Sequence, residues 1–341
     1  MQDSQMIYDK GFDAVHITGL HDKKIKEQIL KKLSNNAAFI NTTWIELDSD
    51  LKRIIQSQPN LILCYSTVDW ENRICRQEPN NYIKENAKNL IYFGNYNNGY
   101  YFSFWMDFVF EHISSFEKFD CTNVNKDMQL FMCLNRKPHE HRIELVRKLY
   151  DKNLDKQGFI SLGKHPKPVP WDYKGLSVPI TLQKDIENQE GNLAVAGNAG
   201  GITNDITGLG SSEYWNSHFL NIVTETTVHT DVFISEKTFK PIIGMRPFVI
   251  LGDDAVYEKL HEWGFDTFDD IFGKGYLGKY HTDRIEWIVG IVEDLKRANL
   301  NLLFKKLLPR LKENKRLFLE VAKQNRQRFS DFEVKLNNTC K

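Results

Sequence analysis

The sequence predicts an α/β protein built on parallel sheets. Short apolar runs of strand length alternate with helical stretches along the chain. The richest run, Leu61-Ile62-Leu63-Cys64-Tyr65, is apolar at successive positions, the pattern of a strand buried on both faces. The length, 341 residues at about 150 per domain, predicts two domains.

The elements follow in order. Residues 12–20 (FDAVHITGL) read as a first strand, and a lysine-rich helix follows at about 22–34. Residues 60–68 (NLILCYSTV) are the clearest strand of the first half, and 89–94 (NLIYFG) are another. The aromatic segment 100–113 (YYFSFWMDFVFEHI) fits a helix or a strand–helix junction equally well. A second unit opens near Asp127 with the strand 128–136 (MQLFMCLNR). Pro138 suits the first turn of a helix over 138–151, with Arg142, Leu145, Val146 and Leu149 on one face.

Residues 163–218 are rich in Gly, Pro and Asn and read as long loops with little regular structure. FLNIVTET (219–226) is a strand, ISEKTFKPIIG (234–244) begins a short helix, and RPFVILG (246–252) is a strand. Asp253 opens a helix to about Trp263. Asp283 and Glu286 form a capping-box pattern for a helix at 283–298, whose Ile285, Ile288, Ile291 and Leu295 make an apolar stripe. A last helical stretch at about 300–330 is expected to break or kink at Pro309.

Composition narrows the function. Hydrophobic residues are 41% and charged residues 26%, which excludes a disordered or collagen-like chain. Lys+Arg 45 against Asp+Glu 45 leaves no global field toward nucleic acid or membrane. The exception is residues 295–341, with 13 basic and 4 acidic side chains: a solvated helix face or a phosphate-facing surface. No apolar run approaches the roughly 20 residues of a membrane span. The first 20 residues lack a basic leader and a continuous apolar stretch, so a cytoplasmic protein without a signal peptide is expected. Five cysteines without a C-x-x-C read as reduced thiols and not as a zinc site.

The most informative segment is 231–252, DVFISEKTFKPIIGMRPFVILG. Glu236 and Lys237 open a helix, and Lys240 follows one turn later on the same face. A carboxylate beside lysines at a helix start suits a nucleotide sugar. The acid accepts ribose hydroxyl protons, while the ammonium groups and the helix amides meet the diphosphate. The competing reading is an exposed acid and two exposed lysines on a surface helix.

The whole segment resembles the donor-binding motif of α-1,3-fucosyltransferase-like enzymes, a Ser/Thr-Glu-Lys at a helix start before a Gly-x-x-Pro-x-x-x strand. It is similar as well to glycosyltransferase-like proteins of tailed phages and giant viruses, which share a pattern like MCLNRKPHEHR (132–142). The resemblance covers mainly residues 128–300. It implies a GT-B glycosyltransferase, two Rossmann-like domains across a cleft. Residues 1–127 would carry the acceptor, 128–300 the nucleotide sugar, and 301–341 a helix returning to the first domain. It implies that Glu236 holds the ribose and that Lys237 and Arg136 hold the diphosphate; Lys240 joins them on physical grounds. Arg142 either contacts the donor or braces the loop, and His139 and His141 read as structural or exposed.

Transfer also needs a base for the acceptor hydroxyl and exclusion of water. Asp69, just past the strand 60–68, is the first candidate base, followed by His16, Asp107 and Glu71. The loop 197–212 is a candidate lid. Asp48-Ser49-Asp50 matches a metal-binding D-x-D, but so short a match is set aside and no metal is expected. The implied donor is a UDP- or GDP-linked sugar, with no other cofactor. By analogy with phage enzymes the expected acceptor is a hydroxymethylated pyrimidine in double-stranded DNA, reached in the host cytoplasm, with Tyr100, Tyr101, Phe102, Phe104 and Trp105 either stacking on a flipped base or forming core. A glycan or lipid-linked sugar is the competing acceptor, and a non-catalytic nucleotide-binding protein of the same fold is the competing class. A monomer without membrane contact is expected.

Overall fold

A computed structural model describes residues 113–135, 138–162, 209, 212–228 and 234–339, together with short pieces elsewhere: 15–16, 38–41, 49, 52–53, 56, 62–66, 86, 89–94, 100–101, 198–199 and 202–203. The chain divides into two units, residues 1–107 with 323–341, and residues 108–322. Both are α/β, as the sequence predicts.

In the first unit, the described strands are β1 (Val15–His16), β2 (Ala38–Asn41), β3 (Ile62–Ser66), β4 (Asn89–Gly94) and β5 (Tyr100–Tyr101). They pair in that order, and every pair is parallel. β4 spans the residues expected of it. The expected lysine-rich helix, and the aromatic residues 102–112, lie outside the described residues.

The second unit opens with the short helix α1 (Ile113–Lys118), then β6 (Gln129–Asn135), α2 (Glu140–Asp151) and β7 (Gly158–Leu162). A small antiparallel pair follows, β8 (Asn198–Ala199) with β9 (Ile202–Thr203), and then α3 (Ser212–Asn216) and β10 (His218–Thr224). The remaining elements are α4 (Glu236–Ile243), β11 (Phe248–Leu251), α5 (Asp254–Glu262), α6 (Asp269–Phe272), α7 (His281–Leu295) and α8 (Leu300–Thr339), whose residues from 323 on belong to the first unit. The sheet order is β11-β10-β6-β7, all parallel.

Each residue of β10 and β11 is buried, because helices cover both faces. The crossover after β6 steps toward β7, and the crossover after β10 steps the other way, toward β11. Right-handed crossovers of opposite step put their helices on opposite faces. The packing agrees: α2 lies against α7, tied by Lys148 to Glu286, whereas the Phe239 ring of α4 packs tilted against Phe318 of α8, with centroids 5.2 Å apart.

Several expectations need correction. The helix expected from 138 starts at Glu140, with Pro138 and the extended residue His139 ahead of it. The helix expected from Asp283 starts at His281; Asp283 sits in its first turn and accepts from the Tyr280 amide at 3.1 Å, while Glu286 pairs with Lys148. Pro309 does not break the last helix, which runs on through it; in so long a helix one lost backbone bond is tolerated. The region 163–218 holds more structure than expected, namely the β8–β9 pair, α3 and the start of β10. Strand β7 and helix α6 were not anticipated. Gly158 opens β7 because a Cβ there would sit 2.6 Å from the Phe131 ring on the neighbouring strand.

Arg246, fully buried, fastens the other end of the sheet. Its guanidinium donates to the carbonyls of Trp215, Met245 (2.7 Å) and Cys121 (3.0 Å) and lies over Phe304. Burial pushes its pKa down to about 10. At the same end, burial and then the charge of Arg246 push His218 down to about 3. Its Nδ1 donates to the Tyr214 carbonyl at 2.8 Å, leaving Nε2 to accept from Asn221. At the opposite edge His141 is pushed down to about 3 as well, by burial and then Arg142. Gly244 ends α4 against Trp215, whose ring would lie 2.3 Å from an added Cβ.

These two imidazoles set an acid limit on stability. Unfolded, each takes a proton near pH 6.5; folded, each refuses it until about pH 3. Stability is therefore complete above pH 6.5 and falls as the pH drops below it, by roughly 1.4 kcal/mol per pH unit for each histidine. Urea unfolding at pH 7 and pH 5 should show a loss on the order of 2 kcal/mol per histidine, and His218→Gln should show a shallower loss. Equal stability at both pH values would contradict the buried neutral state.

Candidate functional site

The strand order reverses between β6 and β10, so the chain leaves these neighbours toward opposite faces beyond their C-terminal ends. In an open parallel sheet this is where ligands bind. The residues that converge there come from the end of β6, the end of β10 and the first turns of α2 and α4.

Asn135 closes β6 and is buried. Its Nδ2 donates to the Ser161 carbonyl at 3.1 Å, and its Oδ1 accepts from Thr224 Oγ1 at 2.6 Å. One amide thus ties the ends of β7, β6 and β10 together. From α2, Arg142 donates to the Thr224 carbonyl at 2.9 Å. The next carbonyl, Glu225, accepts from His141 Nε2 at 2.9 Å, which fixes that ring as the Nε2–H tautomer. Of the two readings for Arg142, its observed bond is the brace. His141 is structural, and its ring stacks 5.9 Å from that of His139.

Glu225 is the first residue past β10 and is fully buried. Oε1 accepts from the Ser235 amide (3.0 Å) and from Thr238 Oγ1 (2.7 Å); Oε2 accepts from Ser235 Oγ (2.6 Å). Ser235 is the N-cap of α4, and its Oγ accepts from the Lys237 amide at 3.3 Å. A strand end and a helix start are therefore joined through one carboxylate. Sequence reasoning missed Glu225. Its signal was present: the first carboxylate after a mainly apolar strand, ten residues before Ser235-Glu236-Lys237.

Glu236 and Lys237 stand on that anchored turn. Lys237 Nζ lies 3.0 Å from Glu236 Oε1, 3.0 Å from Ser235 Oγ and 4.0 Å from Glu225 Oε2. The Glu236 side chain is only 15% exposed, and that of Lys237 is 31% exposed. Burial favours the neutral acid, but Lys237 and then Lys240 outweigh it and hold the Glu236 carboxyl below the usual carboxylate range. Glu236 is therefore an anion held next to two cations. Its Oε2 is buried without a hydrogen-bond partner among the described residues. Thr227 Oγ1 and Arg284 Nε share that condition. Thr227 follows β10, and Arg284 donates to the carbonyls of Val228 and Gly252, just past the C-terminal ends of β10 and β11. Buried polar atoms without partners are rare in folded proteins.

The structure thus brings together Glu236, Lys237 and Lys240. Arg136, Asp69, Asp107 and Glu71 lie outside the described residues. His16 ends β1 in the first unit. Of the expected lid, 197–212, the described part includes the β8–β9 pair and the start of α3. Among the described residues no three His, Cys, Asp or Glu side chains group as a metal site, and no helix is long and apolar enough to cross a membrane. No family model, curated protein or solved structure matches this chain.

Glu225→Ala should be costly, because it leaves the Ser235 amide, the Ser235 hydroxyl and the Thr238 hydroxyl without their acceptor in a buried place. The expected loss is on the order of 3 kcal/mol, read by urea unfolding. A variant as stable as the wild type would show that Glu225 does not anchor α4.

Proposed function

We propose that the protein is a GT-B glycosyltransferase that takes its sugar from a nucleoside diphosphate and binds that donor at the C-terminal edge between β6 and β10. The observation that carries the reading is the enclosed Oε2 of Glu236, an anionic acceptor without a hydrogen-bond partner among the described residues, on the same helical turn as Lys237. A ribose supplies the hydroxyl. The diphosphate supplies the negative charge that Lys237, Lys240 and Arg136 answer.

Sugar transfer breaks the bond between the anomeric carbon and the diphosphate oxygen, and negative charge grows on the leaving group. Fixed cations at a helix start stabilise that charge without reorganising, because the protein has already oriented them. Glu236 fixes the nucleoside end so that the anomeric carbon is held in one place. The acceptor hydroxyl attacks that carbon and gives its proton to a base, for which Asp69 is proposed. The second Rossmann-like domain, carrying acceptor and base, belongs to the proposal. The acceptor proposed is a hydroxymethylated pyrimidine of DNA, on the phage-like motif alone.

Glu236→Ala should weaken the binding of UDP or GDP about tenfold or more by calorimetry, the equivalent of a lost charge-assisted hydrogen bond. Unchanged affinity would remove Glu236 from the donor site. Asp69→Asn should keep donor affinity and lower turnover by a factor of about 100 or more; full activity would reject Asp69 as base. Nucleotide release from UDP- and GDP-sugars, with hydroxymethylated DNA or oligosaccharides as acceptor, tests the acceptor. Release stimulated by oligosaccharides alone would move the proposal to a glycan acceptor, and no nucleotide binding at all would end it.

A further inference from the structure

Lys237 is held by more than its neighbour in sequence. Its ammonium touches the Ser235 hydroxyl oxygen at 3.0 Å, and that hydroxyl in turn donates to Glu225 Oε2 at 2.6 Å. A hydroxyl has one proton and two lone pairs. Glu225 takes the proton, so both lone pairs of Ser235 Oγ face Lys237, one toward its amide (3.3 Å) and one toward its ammonium. Glu225 Oε2 lies 4.0 Å from the same ammonium and adds direct attraction. We infer that Glu225 and Ser235 form a positioning relay that fixes the ammonium of Lys237 at the C-terminal edge of the sheet. The role of that ammonium toward a diphosphate rests on the function proposed above; the relay itself does not.

The relay depends on a carboxylate, not merely on a side chain of that shape. A glutamine at 225 can keep Oε1 as acceptor for the Ser235 amide and Thr238. Its amide nitrogen must donate where Oε2 accepted. Ser235 Oγ would then receive three donors with two lone pairs, and the mobile one, the Lys237 ammonium, is displaced. The attraction of Glu225 for that ammonium goes with it. Neither change empties the core, so the fold persists while the lysine is released. Replacing Ser235 by alanine removes the middle of the chain. Replacing it by threonine keeps both the hydroxyl and the helix cap.

The experiment measures how fast Lys237 reacts with an acylating reagent at pH 8, by mass spectrometry, relative to the exposed Lys305. An amine held by two carboxylates and a hydroxyl reacts slowly, because those contacts must open before the reagent reaches it. Glu225→Gln and Ser235→Ala should each speed the labelling of Lys237 about fivefold, the scale of one lost hydrogen bond, while Ser235→Thr stays near the wild type. Unchanged labelling in Glu225→Gln, or equal labelling in Ser235→Ala and Ser235→Thr, would overturn the relay. Should Glu225→Gln fail to fold, the Ser235 pair decides alone. Calorimetry with UDP and GDP runs beside it, and affinity should fall in Glu225→Gln and Ser235→Ala and recover in Ser235→Thr. Faster labelling in a protein whose wild type binds neither nucleotide supports the relay and defeats the donor site. Nucleotide binding with labelling unmoved supports the donor site and defeats the relay.

Discussion

The carboxylate of Glu225 is the joint on which the second unit turns. It stands where β10 ends, takes three hydrogen bonds from the start of α4, and is fully buried. A buried carboxylate is costly unless its oxygens are satisfied, and here two amino acids of the next helix satisfy them. Residues 225 and 235 are thereby held together. The register of α4 against the sheet follows, and with it the positions of Glu236 and Lys237. On the other face, His141 and Arg142 seize the carbonyls of Glu225 and Thr224, so the same strand end is held from both sides.

Charge at this edge is arranged rather than merely present. Glu236 stays ionised although it is largely enclosed, because Lys237 and Lys240 outweigh the cost of burial. One of its oxygens is engaged, and the other has no hydrogen-bond partner among the described residues. The opposite end of the sheet is different: Arg246 there is saturated by carbonyls and packed on Phe304. Buried charge at that end is satisfied within the fold.

Much of this was legible in the sequence. Buried parallel strands announce themselves as apolar runs, unbroken in β11 and interrupted by Asn221 in β10. Asp253 marks the start of α5 because a carboxylate before a helical run caps it, and it does so here through the Ala255 amide. Glu236, Lys237 and Lys240 were legible because an acid and two bases share one helical face. What sequence could not yield depends on contacts between distant residues. β7 is short and begins with a glycine whose purpose is the Phe131 ring on another strand. The pairing of Glu286 with Lys148, across two helices, left Asp283 alone to cap α7. The role of Glu225 appears only when Ser235, ten residues on, folds back to it. The strand order is a property of pairing that no local pattern encodes.

The proposed donor site lies at the C-terminal edge between β6 and β10. Amide hydrogen exchange with and without UDP or GDP reports on that edge. Bound nucleotide should slow exchange in residues 224–240 and in the first turn of α2 and leave the Arg246 end of the sheet unchanged. Nucleotide binding that protects some other region, with these segments unaffected, would contradict it.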